Sequence, residues 1–252
     1  MKEPIRQTPY QRTGVYYFLS GFRLIFAKGL KRYTLIPLLL NTLLFLFIWS
    51  FALYELHLLV GWLNSHIPSW LHGLSVLIYL IAIIGLLLFS AWFFSLFALI
   101  LAAPFYAFLC EKVTLELGGK HPDTPLTFKQ FLQIAPKALS REIMKMLSFL
   151  PWVIAILVYY FIPVLNLFTG VFWLMLLSWF NVIAYVDYPF DNHQISFQNM
   201  KHQLRQKPFL SFGFGFTATL FLMVPFFNIF VIPAAIAGAT KMYLGEFASN
   251  SV

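Results

Sequence analysis

Long apolar runs alternate with short charged blocks along the whole chain. Over residues 14–28, Val15, Phe18, Leu19, Phe22, Ile25 and Phe26 recur at helical spacing, with Arg23 and Lys28 off that stripe. This predicts an amphipathic helix lying in a membrane interface. Tyr33–Tyr54 is uncharged for 22 residues, enough for one crossing of a ~30 Å hydrocarbon core. Leu74–Cys110 is uncharged for 37 residues, which as a helix would run about 55 Å. A second spanning helix is therefore expected to project beyond the bilayer, with Pro104 the place for a bend. Residues 111–145 read as a cytoplasmic helical segment.

Two further apolar stretches, 146–186 and 208–240, are each too long for one crossing and each is broken midway. The breaks share the pattern Pro-x-x-Asn-x-Phe, as Pro163, Asn166 and Phe168 and again as Pro225, Asn228 and Phe230. Proline removes a helix donor and asparagine is costly in hydrocarbon, so both sites are predicted turns and candidate path-lining positions. The arms beside the second turn are 17 residues (208–224) and 12 residues (229–240), whereas two crossings need about 40. Re-entrant hairpins that enter and leave by one face fit these lengths better than four full spans.

Composition sharpens this picture. Of 252 residues, 60% are apolar and only 10% charged, with a mean hydropathy of +0.79. Soluble domains run at about 45–50% and about 25%, so a water-soluble fold is excluded, and a single cysteine, Cys110, excludes a disulfide scaffold. The fold class is an all-α integral membrane protein: two long transmembrane helices, two re-entrant, partly inserted helical hairpins and an N-terminal interfacial helix.

Lys and Arg cluster in residues 1–32 (Lys2, Arg6, Arg12, Arg23, Lys28, Lys31, Arg32), in 111–145, and in 187–207, while 55–73 holds neither. By the positive-inside rule the N-terminus is expected in the cytoplasm and 55–73 outside. Trp49, Tyr54, Trp62 and Trp70 frame that external stretch as an aromatic belt. No cleavable signal is expected, because the first apolar run follows a long basic region and has the length of a span.

Two segments carry candidate chemistry. Gly29-Leu30-Lys31-Arg32 ends one helix and begins the next, so backbone amides, a helix dipole and two cations converge as they would on an oxyanion. The plainer reading is a topology signal whose side chains snorkel to lipid headgroups. Asp187-Tyr188-Pro189-Phe190-Asp191-Asn192-His193 groups two carboxylates with a histidine. Acid–base or metal chemistry there competes with a structural loop built on an Asx-type turn, since Pro189 disrupts helical stacking. Glu111, Glu116, Arg141 and Glu142 are candidates for gating the inner end, against the reading that they are solvated charges. His57, His66 and His72 have no ligand spacing, so no metal site is expected, and no cofactor either. No Walker loop, H-E-x-x-H or Gly-x-Ser-x-Gly motif is present, and nothing points to an enzyme or to nucleic acid.

The run Lys31-Arg32-Tyr-Thr-Leu-Ile-Pro37-Leu-Leu-Leu-Asn41, the Ala102-Ala103-Pro104-Phe105 element, Asp187–His193 and Pro225-Phe-Phe-Asn228-Ile-Phe together resemble the CysZ family of bacterial sulfate permeases. The resemblance covers essentially the whole chain. It implies a multi-pass inner-membrane protein that admits sulfate for cysteine synthesis, channel-like and without ATP. It also implies contact with membrane lipids and a homo-oligomer, a dimer or higher assembly with a hexamer included. The family's sulfate-binding motif carries over onto Gly29, Leu30, Lys31 and Arg32, with lysine at the first cation where the family often has arginine. Alternatives left standing are a permease for another oxyanion such as sulfite or thiosulfate, a proton-coupled symporter, and a non-transporting assembly subunit.

Overall fold

The computed structural model describes residues 12–27, 29–66, 68, 72–119, 128–224 and 228–248. Of the residues singled out above, Lys2, Arg6, Lys28, Trp70 and Pro225 lie outside the described residues. The described chain is helical, with no strand: α1 (Gly14–Ile25), α2 (Lys31–His66), α3 (His72–Glu116), α4 (Phe128–Tyr160), α5 (Thr169–Asn192), α6 (Phe197–Gln206), α7 (Pro208–Leu222) and α8 (Asn228–Glu246). A 3-10 turn, Leu165–Phe168, precedes α5. Thr42–His66, Ser140–Tyr160 and Leu165–Asn192 are long and apolar enough to cross a membrane, consistent with a multi-pass membrane protein. The chain divides into two compact units, Leu35–Pro104 and the remainder (Met1–Thr34 with Phe105–Val252).

In the first unit, α2 does not stop at Tyr54 as the sequence suggested but runs on to His66. The polar stretch expected as an external loop is thus helical over 55–66. Its leucines and Trp62 are good helix residues, and glutamate and histidine do not break a helix in water. The end comes where Ser65 Oγ donates to the Trp62 carbonyl at 2.6 Å and His66 Nδ1 lies 2.8 Å from the same oxygen. Pro68 follows shortly after.

In the second unit, α1 packs on α7 and α8, while α5 packs on α4, α7 and α8. Small residues permit this closeness. A β-carbon on Gly21 would lie 1.9 Å from the Ala234 carbonyl oxygen, and one on Gly215 1.9 Å from that of Ser178. Ala234, Ala235, Ala237 and Ala239 of α8 are fully buried, with Phe18, Phe190 and Phe214 filling the gaps around them. The α1 stripe is therefore not the single membrane face the spacing suggested. Phe18 and Ile25 enter the protein core with Gly14, Tyr17 and Gly21, whereas Val15, Leu19 and Phe26 remain exposed. Spacing alone identifies apolar positions without telling a protein neighbour from lipid.

Helix pairs flank both predicted breaks. The first turns between α4 and α5 through 161–168, where Pro163 lies and Val164 adopts φ 71°. In the second, α8 begins at Asn228 and has 19 residues, longer than the 12-residue arm expected, because Lys241–Glu246 continues the helix past the apolar run. The Asp187–His193 segment is likewise not a loop. Helix α5 carries it to Asn192 with Pro189 inside the helix. The His193 backbone N–H donates to the Pro189 carbonyl at 3.2 Å and closes the last turn of the helix. Ser196 then caps α6 by accepting the Asn199 N–H at 3.3 Å.

Candidate functional site

The junction between α1 and α2 is built by three residues with distinct tasks. Helix α1 unwinds through Phe26, the Leu30 N–H donates back to the Ala27 carbonyl at 3.2 Å, and Gly29 takes φ 93°. That left-handed conformation turns the chain sharply and costs an L-residue with a β-carbon about 1–2 kcal/mol. Leu30, only 1% exposed, plugs the core and fixes where the next helix starts. Lys31 and Arg32 then open α2 with exposed side chains, and the first turn contains no acidic residue. The first amides of any helix lack intrahelical acceptors and carry the positive end of the dipole. Lys31 and Arg32 stand beside these amides, and no acidic residue lies in that turn.

The remaining expected site residues are dispersed. Pro163 and Asn166 sit in the first hairpin turn, exposed. Asn228 opens α8, while Pro225 lies outside the described residues.

Asp187, Asp191 and Asn192 belong instead to an ionic clamp at the other end of α5. Arg141 of α4 donates from Nε to Asp187 Oδ1 at 2.7 Å, from Nη1 to Asp191 Oδ1 at 2.6 Å and from Nη2 to the Ile195 carbonyl at 3.1 Å. Lys145 reaches Asp187 Oδ2 at 3.2 Å and also bonds Glu142. Asn192 donates to the Ala107 carbonyl at 3.2 Å, tying in the end of α3. His193 Nδ1 lies 2.7 Å from the Pro189 carbonyl oxygen. Asp187 and Lys145 are buried at 5% and 3% exposure, so the Asp187 charge is held by Arg141 and Lys145, and the Lys145 charge by Asp187 and Glu142.

The sequence reading missed this pairing. A signal was available: Arg141 and Lys145 stand four apart on one helix, and Asp187 and Asp191 four apart on another, so two oppositely charged faces match. Among the described residues no group of three or more His, Cys, Asp or Glu side chains is placed to hold a metal ion. His66 instead stacks on Trp62, with ring centroids 4.5 Å apart.

Comparison with known proteins places this geometry in context. Residues 17–233 match the family described as Sulfate transporter CysZ/Etoposide-induced protein 2.4. A protein named Sulfate transporter CysZ from Pectobacterium atrosepticum is 36% identical over 246 residues, covering 96% of this chain and 88% of its own. The protein of the same name from Salmonella typhimurium is 38% identical over 241 residues, covering 94% of each chain.

Proposed function

The chain belongs to the Sulfate transporter CysZ/Etoposide-induced protein 2.4 family, and we propose that it is a sulfate permease of the bacterial inner membrane, capturing the dianion at Gly29–Arg32. The observation that carries the reading is the junction itself: a left-handed Gly29, a core-anchored Leu30 and two exposed cations on an acid-free first helical turn. Tetrahedral oxyanions suit such a place because amide N–H groups and a guanidinium offer directed donors. Lys31 contributes a point charge in place of a second fork.

The hairpins support a re-entrant arrangement with the N-terminus in the cytoplasm. In the first turn Phe161, Val164 and Leu167 are 81%, 70% and 78% exposed, and Met223 ends α7 at 65%. Leaving large apolar side chains in water forgoes about 1.5–3 kcal/mol each, so such tips belong in hydrocarbon. By contrast α2 passes Tyr54 into Glu55, His57 and His66, the polar exit of a complete crossing. Basic residues around α6 then share a side with the N-terminus. Two spans and two half-inserted hairpins are too few to enclose a hydrated route, so the path runs between subunits of a homo-oligomer. Absence of a nucleotide-binding loop supports passage without ATP.

The test is entry of radiolabelled sulfate into vesicles holding only this protein. Entry above protein-free vesicles is expected, with Lys31→Ala/Arg32→Ala losing at least tenfold in sulfate affinity. Unchanged affinity in that double variant would remove the site, and no entry at all would favour an assembly subunit. Competition by sulfite and thiosulfate ranks the oxyanions.

A further inference from the structure

A cavity of about 300 Å³ lies on α1, lined by Tyr16, Leu19, Ser20, Arg23 and Leu24 together with Lys241 of α8, and shares no lining residue with Gly29–Arg32. Its charge is one-sided. Lys241 donates to the Tyr16 hydroxyl at 3.2 Å and its ammonium sits 4.9 Å from the ring centroid, while the Arg12 guanidinium lies 5.1 Å from the same ring. No lining residue is acidic. The carboxylate of Glu246, on the last turn of α8, is committed elsewhere, to Lys207 at 2.7 Å and to the Tyr17 hydroxyl at 2.9 Å. Lys241's hydrogen bond holds the Tyr16 phenol below its ordinary value; burial opposes this, and the charges of Lys241, Arg12 and Arg23 add to the lowering. The spot favours negative charge, and no side chain of the lining supplies any.

We propose that this cavity binds the phosphate headgroup of an anionic phospholipid. Arg23 offers a planar fork to two phosphate oxygens, Lys241 offers an ammonium, and Tyr16, whose oxygen accepts from Lys241, retains its proton to donate. A free phosphate ion would satisfy the same donors. What selects a lipid is the apolar part: Leu19 and Leu24 wall the cavity, and exposed Val15, Leu19 and Phe26 continue along α1 as a track for acyl chains. The site rests on groups separate from Gly29–Arg32, so it stands or falls apart from sulfate capture.

The experiment titrates the purified full-length protein with short-chain phosphatidylglycerol, with phosphatidylcholine of the same chain length, and with inorganic phosphate, following the thermal unfolding midpoint. Phosphatidylglycerol is expected to raise the midpoint saturably and phosphatidylcholine to leave it unchanged. Arg23→Gln/Lys241→Gln should weaken the apparent affinity about thirtyfold, at about fivefold for each surface cation. Lys241→Arg should stay near wild type. Equal protection by phosphatidylcholine, or full affinity in the double variant, overturns the proposal. A saturable effect of inorganic phosphate that survives Lys31→Ala/Arg32→Ala but vanishes in Arg23→Gln/Lys241→Gln reassigns the cavity to a free anion and sinks the lipid. Should the double variant fail to accumulate, Lys241→Gln alone decides, with about fivefold weakening expected and none fatal.

Discussion

A β-carbon on Gly29 would meet no atom within 4 Å, yet the residue sits at φ 93°, whereas Gly21 has ordinary helical dihedrals and backbone 1.9 Å from where a β-carbon would go. The two glycines are required for opposite reasons, and alanine separates them. Gly29→Ala should fold with a stability loss of about 1–2 kcal/mol, because only backbone conformation opposes it. Gly21→Ala forces α1 off α8 and should fail to give a monodisperse protein in detergent. Thermal unfolding after size exclusion measures both, and a Gly21→Ala as well behaved as Gly29→Ala contradicts the close helix approach. The ionic clamp makes a second claim at this scale. Arg141 is 11% exposed in its side chain and alone bridges Asp187, Asp191 and the Ile195 carbonyl. Breaking a buried pair by deleting one partner costs about 3–5 kcal/mol, so Arg141→Ala is expected in that range. Asp191, 29% exposed, can rehydrate, and Asp191→Asn should cost about 1 kcal/mol or less. Equal losses for the two would contradict the burial difference.

Hairpin depth is a property of elements, and thiols report it. Cys110 is the chain's one cysteine and is buried, so introduced thiols are read against a silent background. Leu167→Cys, at a 78% exposed tip position, should resist a membrane-impermeant maleimide from either face, while Ser65→Cys labels from outside and Gln198→Cys from the cytoplasm. Labelling of Leu167→Cys from outside would mean that α4 and α5 cross completely. Elements are also the level at which the sequence was most informative. Charge blocks bounded apolar stretches that are helical, and Pro163 marked the first turn, because the bilayer disfavours unpaired charge and proline removes a helix donor. Helix ends were less legible, since water tolerates the helix that Glu55–His66 continues and α5 keeps Pro189 within its last turns. At the junction, Gly29 beside Lys31-Arg32 could be read locally. Arg141 with Asp187 could not, as its partners stand 46 residues apart and only their matching i,i+4 spacings hint at the pairing.

At the scale of the whole molecule the constraint is voltage. Moving one charge through 100 mV is worth about 2.3 kcal/mol, so sulfate entering a negative interior opposes about 4.6 kcal/mol. At 1.4 kcal/mol per decade this is just over three decades of concentration. A permease without an energy source therefore fills the cell only while assimilation keeps internal sulfate low, and its equilibrium must follow potential alone. In α2 the one acidic residue, Glu55, is exposed rather than buried. In vesicles free of ATP, 100 mV positive inside should accumulate sulfate by about three decades at equilibrium, and reversing the sign should deplete it by as much. A pH gradient at zero voltage should leave the initial rate unchanged within about twofold, because uncoupled passage of the dianion moves no proton. Strong acceleration by an inward proton gradient under that clamp would instead require a co-transported proton, and with it an acidic group on the path between subunits.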